Sequence, residues 1–157
     1  MRDYLAIAQK VTEQTGVAFR LATADELQKL RAFGLPDCIL NFYASFAPTA
    51  QIEGQVMILT VEGLIDENTK YGPGYAIAPL GYVAFADGFC DDPYCFDLNH
   101  LNQNGEPRIV LFSHEMVGEG DSPETVARRA KPVATDLFQF LEQFTENKID
   151  EKCSFDT

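Results

Sequence analysis

Three apolar, β-prone segments, Gly81–Phe85, Tyr94–Leu98 and Arg108–Ser113, follow one another with connections too short for a crossover helix. Asp87-Gly88 and Asn104-Gly105, which lie between them, are hairpin-type turn pairs. A further apolar and β-branched run, Gln55–Val61, reads as the strand before them. Strands in this order favour an antiparallel meander over a βαβ arrangement.

Helical patterns flank this sheet on both sides. Tyr4, Ile7, Ala8 and Val11 predict an amphipathic helix over 3–14, opened by Asp3 and closed by Gly16. Thr23-x-x-Glu26 forms a capping box for a second helix, which carries Leu27 and Leu30 and stops at Gly34. Pro36 suits the first turn of a third, with Ile39, Leu40, Tyr43 and Phe46 facing inward and Pro48 ending the run. A short helical turn is expected around Glu62–Asn68, and a turn or loop at Tyr71–Gly74. Ser122-Pro123-Glu124 opens another helix, which Lys131-Pro132 breaks. Leu137, Phe140, Leu141 and Phe144 share the stripe of a last helix over about 134–147. The polar tail from Ile149 to Thr157 is expected to be loose. The fold class is α+β: a central antiparallel β-sheet flanked by N- and C-terminal helices. A chain of 157 residues buries roughly 70% of its unfolded surface, so one domain over 1–157, with its core at about 20–146, needs no staple.

Charge narrows the function. The chain has 24 acids and 12 bases, a net charge of −12. Asp87, Asp91, Asp92, Asp97, Glu106, Glu115, Glu119, Asp121 and Glu124 face Arg108 alone over residues 84–124, so two-thirds of the excess sits in about a quarter of the chain. Such a field repels nucleic acid and draws in basic proteins. The plainer reading is a solvated surface that keeps the protein in solution. No apolar run approaches the ~20 residues of a membrane span. Asp3 falls where a signal peptide would be apolar, so a cytoplasmic location is expected.

Motifs for chemistry are scarce. The chain has no G-x-G-x-x-G, no phosphate loop, no G-x-S-x-G elbow and no H-E-x-x-H. Cys90, Cys95, His100 and His114 could make a small metal site on paper, but their spacing fits no standard one, and no cofactor is expected. Cys38 reads as a small apolar core residue and Cys153 as part of the exposed tail. His114 reads as a structural strand-end residue. Arg128, Arg129 and Lys131 suit the end of a helix dipole. Asp91 and Asp92 lie in a segment that lacks the pattern of a calcium loop. They fit a docking surface for Lys or Arg side chains, with Phe89 and Tyr94 as aromatic anchors. Alternatively the two rings roof the sheet, and an aspartate bonds backbone N–H groups in the turn. Tyr71–Tyr75 is a second candidate contact loop.

The order of motifs resembles the SUKH superfamily, which includes fungal cell-wall-synthesis regulators and bacterial toxin-immunity proteins. Leu35-Pro36 leading to Phe42-Tyr43 is similar to its opening block, and Val83–Gly88 with Asp91, Tyr94, Phe96, Asp97 and Leu98 to its glycine-and-aspartate strand–turn–strand core. Arg108–Phe112 with His114-Glu115, then Leu137, Phe140 and Leu141 in the closing helix, complete the set over about residues 20–146. Three positions depart from the pattern. Cys90 stands where members usually carry glycine, Phe46-Ala47-Pro48 replaces an Asn-Gly turn, and Leu137 replaces a phenylalanine. The resemblance implies a domain without catalytic activity whose bacterial members neutralise a cognate toxin, often a nuclease. Under that reading Asp87, Asp91, Asp92, Tyr94, Asp97 and Glu115 form the surface for a basic protein partner. A regulatory or scaffold domain without a toxin is the alternative.

Overall fold

The computed structural model describes residues 3–152, and its main sheet lays six strands side by side in the order in which the chain makes them. They are β3 (Ile52–Glu53), β4 (Met57–Ile58), β5 (Tyr82–Asp87), β6 (Pro93–Leu101), β7 (Pro107–Leu111) and β8 (Lys131–Ala134), every neighbouring pair antiparallel. The meander read from the turn signals is therefore present. A separate two-stranded ribbon joins β1 (Phe19–Arg20) to β2 (Ala47–Pro48).

The helices are α1 (Tyr4–Thr15), α2 (Ala24–Ala32), α3 (Asp37–Ser45), α4 (Val61–Thr69), α5 (Gly74–Ile77), α6 (Pro123–Arg129) and α7 (Leu137–Thr145). Their ends follow local chemistry. Asp3 caps α1, and Gly16 takes the left-handed conformation that closes it (φ 76°). Thr23 and Glu26 make the reciprocal capping box, at 3.1 and 2.9 Å. Ser122 caps α6.

Both faces of the sheet are covered. Alternation along β5, β6 and β7 sends Val83, Phe85, Phe96, Ile109 and Leu111 into a core shared with α1, α3, α4 and α7. Tyr82, Ala84, Cys95, Val110 and Phe112 enter a smaller core with Ile77, Val117 and Val126. Phe85 and Phe96 stack across the strands at 4.3 Å, and Phe140 of α7 meets Phe85 edge-on at 5.0 Å.

Several expectations are corrected. Only Met57–Ile58 of the Gln55–Val61 run pairs with β5, and Val61 opens α4 instead. The Thr60 hydroxyl accepts the Gly63 N–H at 3.0 Å, so a cap overrides β-propensity there. Lys131-Pro132 does end α6, but it also begins β8, where proline is tolerated on a sheet edge. The last helix starts at Leu137, not 134, because Asp136 accepts the Gln139 N–H at 2.8 Å. Residues beyond Ile149 are not loose as far as residue 152. Ile149 is buried, its N–H and carbonyl are both held by the Gln55 side chain at 2.8 Å, and Asp150 pairs with Lys131 at 3.0 Å. Cys153 lies outside the described residues. Among the described residues no helix is long and apolar enough to cross a membrane.

Candidate functional site

The turn between β5 and β6 builds a ridge. After Asp87 the chain makes a short 3-10 turn, Phe89–Asp91, closed by the Gly88 N–H on the Asp92 carbonyl at 2.8 Å. Cys90 and Asp91 are both left-handed, with φ of 65° and 62°. A side chain is strained there by clash of its Cβ with the backbone, less so for aspartate. Cys90 thus occupies a conformation suited to glycine. The turn leaves Phe89 83% exposed, the most exposed large apolar side chain among the described residues.

Asp92 anchors the ridge. Its Oδ1 accepts the His114 backbone N–H at 2.9 Å and meets His114 Nδ1 at 2.8 Å. This hydrogen bond is the main reason that the His114 imidazolium is favoured above its ordinary range. Of the two adjacent acids, Asp92 is therefore the one that shapes the turn. Glu115 beyond it is exposed, 3.9 Å from His114 Nε2.

A cleft lies on either side of the ridge. One, of about 540 Å³, is lined by Glu67, Asp87, Asp91 and Glu119 together with Tyr71, Tyr75 and His114. The other, of about 630 Å³, is lined by Glu53, Asp87, Asp92 and Glu151 beside Phe89 and Cys90. Neither lining contains a lysine or an arginine. Asp87 borders both. It is only 8% exposed, and its Oδ1 is sealed from solvent without a hydrogen-bond partner. Burial first, then the charges of Glu67 and Asp91, push its carboxyl up to about 7. The Glu67 carboxyl is raised as well, by burial first and then by the charge of Asp91. On the rim, the Tyr75 hydroxyl donates to Glu119 Oε2 at 2.6 Å.

Asp87 is thus buried at the base of the surface where it was expected, and two further residues expected there are fully interior. Tyr94 is fully buried, tilted against Phe140 at 5.5 Å, with its hydroxyl donating to the Asp150 carbonyl at 2.8 Å. It roofs the sheet and presents no aromatic anchor. Asp97 is also fully buried. It sits opposite Arg108 across β6 and β7, and accepts from Arg108 Nε at 2.8 Å and from the Asn99 N–H at 3.0 Å, with His100 Nδ1 at 3.0 Å. Its role is to lock two strands. Asp87, Asp91, Asp92 and Glu115 do gather around the ridge.

Glu67 was not singled out in the sequence. It reaches the cleft because α4 packs on β5, which no local pattern announces. Glu119 was visible only as one acid among nine. Cys90, Cys95, His100 and His114 do not come together: among the described residues no group of three or more metal-binding side chains forms. Arg128 and Arg129 close α6 as expected, while Lys131 joins β8. The Cys38 thiol is half-buried and donates to the Gly105 carbonyl at 3.5 Å.

A meander between two helical layers, with an acidic ridge at its β5–β6 turn, defines an α+β module. The chain belongs to the SMI1 / KNR4 family (SUKH-1), whose model matches residues 21–143, more than three-quarters of its length. A comparison with curated proteins finds no match.

Proposed function

We propose that this SUKH-1 domain is a non-catalytic protein-binding module of the immunity type. It neutralises a cognate basic toxin, of nuclease class, by docking the ridge Phe89–Asp92 into the toxin's cationic cleft. The observation that carries this reading is the pair of clefts flanking an exposed phenylalanine, lined by carboxylates and devoid of lysine and arginine. A buried aromatic anchor ringed by charge is how a small interface gains both affinity and specificity. Carboxylates facing a nuclease cleft would occupy the places of substrate phosphates, so inhibition is by occlusion.

The test is affinity capture from native lysate, with wild type beside the double variant Phe89→Ala, Asp91→Lys. Asp92 is left intact because it anchors the turn. The reading expects a basic protein retained by wild type, lost by the variant, and inhibited in nucleic-acid cleavage when bound. A retained partner whose activity is unaffected would replace the immunity role with a regulatory one. Retention by both proteins would remove the ridge from the interface.

A further inference from the structure

We propose that the cleft bounded by Glu67, Asp87, Asp91 and Glu119 is a socket for one arginine side chain of the partner. This inference rests on the reading of the ridge as a docking surface and specifies what the larger part of the binding chemistry recognises.

The cleft holds more negative charge than its surroundings compensate. Asp87 is more than nine-tenths buried, its Oδ1 lacks any partner, and the residue lines the cleft. Burying an acceptor without a donor costs free energy that an incoming donor recovers. His114, the one cationic side chain in the lining, has its Nδ1 held by Asp92, and Glu67 and Asp91 add charge without adding a donor. A cation is the missing group.

The geometry selects its kind. A metal ion needs several ligands converging on one point, and no such group exists among the described residues. The carboxylates instead line a cleft of about 540 Å³ from α4, from the end of β5, from the ridge and from the segment after β7. A guanidinium spreads five donors over a planar fork and can meet several carboxylates at once, which a point-like ammonium cannot. Tyr71, 58% exposed, and Tyr75 stand on the rim, where a guanidinium stem stacks. Gly74 keeps this wall close to α4, since a Cβ there would overlap the Glu67 carbonyl oxygen.

The probe is N-acetyl-arginine amide, titrated into the whole protein and followed by backbone amide NMR. Its citrulline and lysine counterparts serve as the neutral and point-charge controls. The expected result is saturable shifts confined to Glu67, Tyr71–Ala76, Asp87, Asp91 and Val117–Glu119, absent with citrulline and weaker with lysine. Asp87→Asn should weaken arginine binding about fivefold or more while the melting curve shows the fold intact. Affinity should also rise about tenfold from pH 6 to pH 8, as Asp87 loses its proton. Glu67 and Asp91 act on this carboxyl, Glu119 and His114 line the same cleft, and Glu53, Asp92 and Glu151 line the other cleft that Asp87 borders; in Asp87→Asn the part of the pH effect due to Asp87 disappears. Unsaturable shifts spread over all acidic residues, or equal binding of lysine, would overturn the socket. Because the probe is a single amino acid, its failure leaves the ridge to be judged by partner capture, and its success survives a failed capture.

Discussion

The Asn68 carboxamide pairs with both backbone groups of Ala84: its Nδ2 donates to the Ala84 carbonyl at 2.7 Å and its Oδ1 accepts the Ala84 N–H at 2.9 Å. The same Nδ2 also donates to the Leu64 carbonyl at 2.8 Å, so the buried side chain rivets α4 to β5 beside the bulge at Ala84–Ala86. One residue earlier on α4 is Glu67, and three residues later on β5 is Asp87. The rivet thus brings the two carboxylates of the cleft together.

Asn68→Leu should cost on the order of 2–4 kcal/mol, because it strands a buried N–H and a buried carbonyl. Urea unfolding measures it. A loss below about 0.5 kcal/mol would mean that α4 is held to β5 by apolar packing alone.

Asp91 and Asp92 should separate cleanly. Asp92→Ala removes the acceptor that ties the ridge to His114 and should destabilise by about 1–2 kcal/mol. Asp91→Ala breaks no side-chain hydrogen bond of this kind and should cost less, only the added left-handed strain of alanine over aspartate. Equal losses in the two thermal melts would deny Asp92 its anchoring role.

Much of the fold is legible in the sequence because its signals are local. The capping box at Thr23 and Glu26, the Ser122 cap and the turn at Asn104-Gly105 each act within four residues, whereas Gly88 is extended and the β5–β6 turn is made by Cys90 and Asp91 instead of the pair Asp87-Gly88. Strand β8 was missed because its four residues become a strand only by lying against the open edge of β7. Burial of Tyr94 and Asp97 was equally hidden. Alternation marks an outside face only when one face of a sheet meets water, and here helices cover both. Of the candidate site, the ridge aspartates were readable as clustered charge. Glu67 was not, since its place depends on Asn68 reaching Ala84.

Asp87 makes stability depend on pH. Its folded carboxyl titrates at about 7, above its ordinary value, so the folded state binds more protons than the unfolded one between about pH 4 and 7. Stability from this group is therefore gained as pH falls through 7 towards 4 and lost as pH rises. Asp87→Asn should stabilise the protein at pH 8 and less so at pH 5, a difference on the order of 2–4 kcal/mol. Chemical denaturation at the two pH values measures it, and a pH-independent effect would contradict an ionised, desolvated carboxyl.

Cys90→Gly should stabilise by about 0.5–1 kcal/mol. Relief of the left-handed strain, about 1–2 kcal/mol, exceeds the entropy that glycine adds to the unfolded chain. Lower stability in urea unfolding would show that the cysteine side chain holds the turn.

On the reading proposed above, the acidic ridge meets a basic protein. This is tested most directly by the association rate of the captured partner across ionic strength, for wild type and for Asp91→Lys combined with Glu119→Lys. Wild type should associate fast and with a steep salt dependence, and the variant, at low salt, about tenfold or more slower and nearly independently of salt. Identical rates and slopes for the two proteins would contradict it.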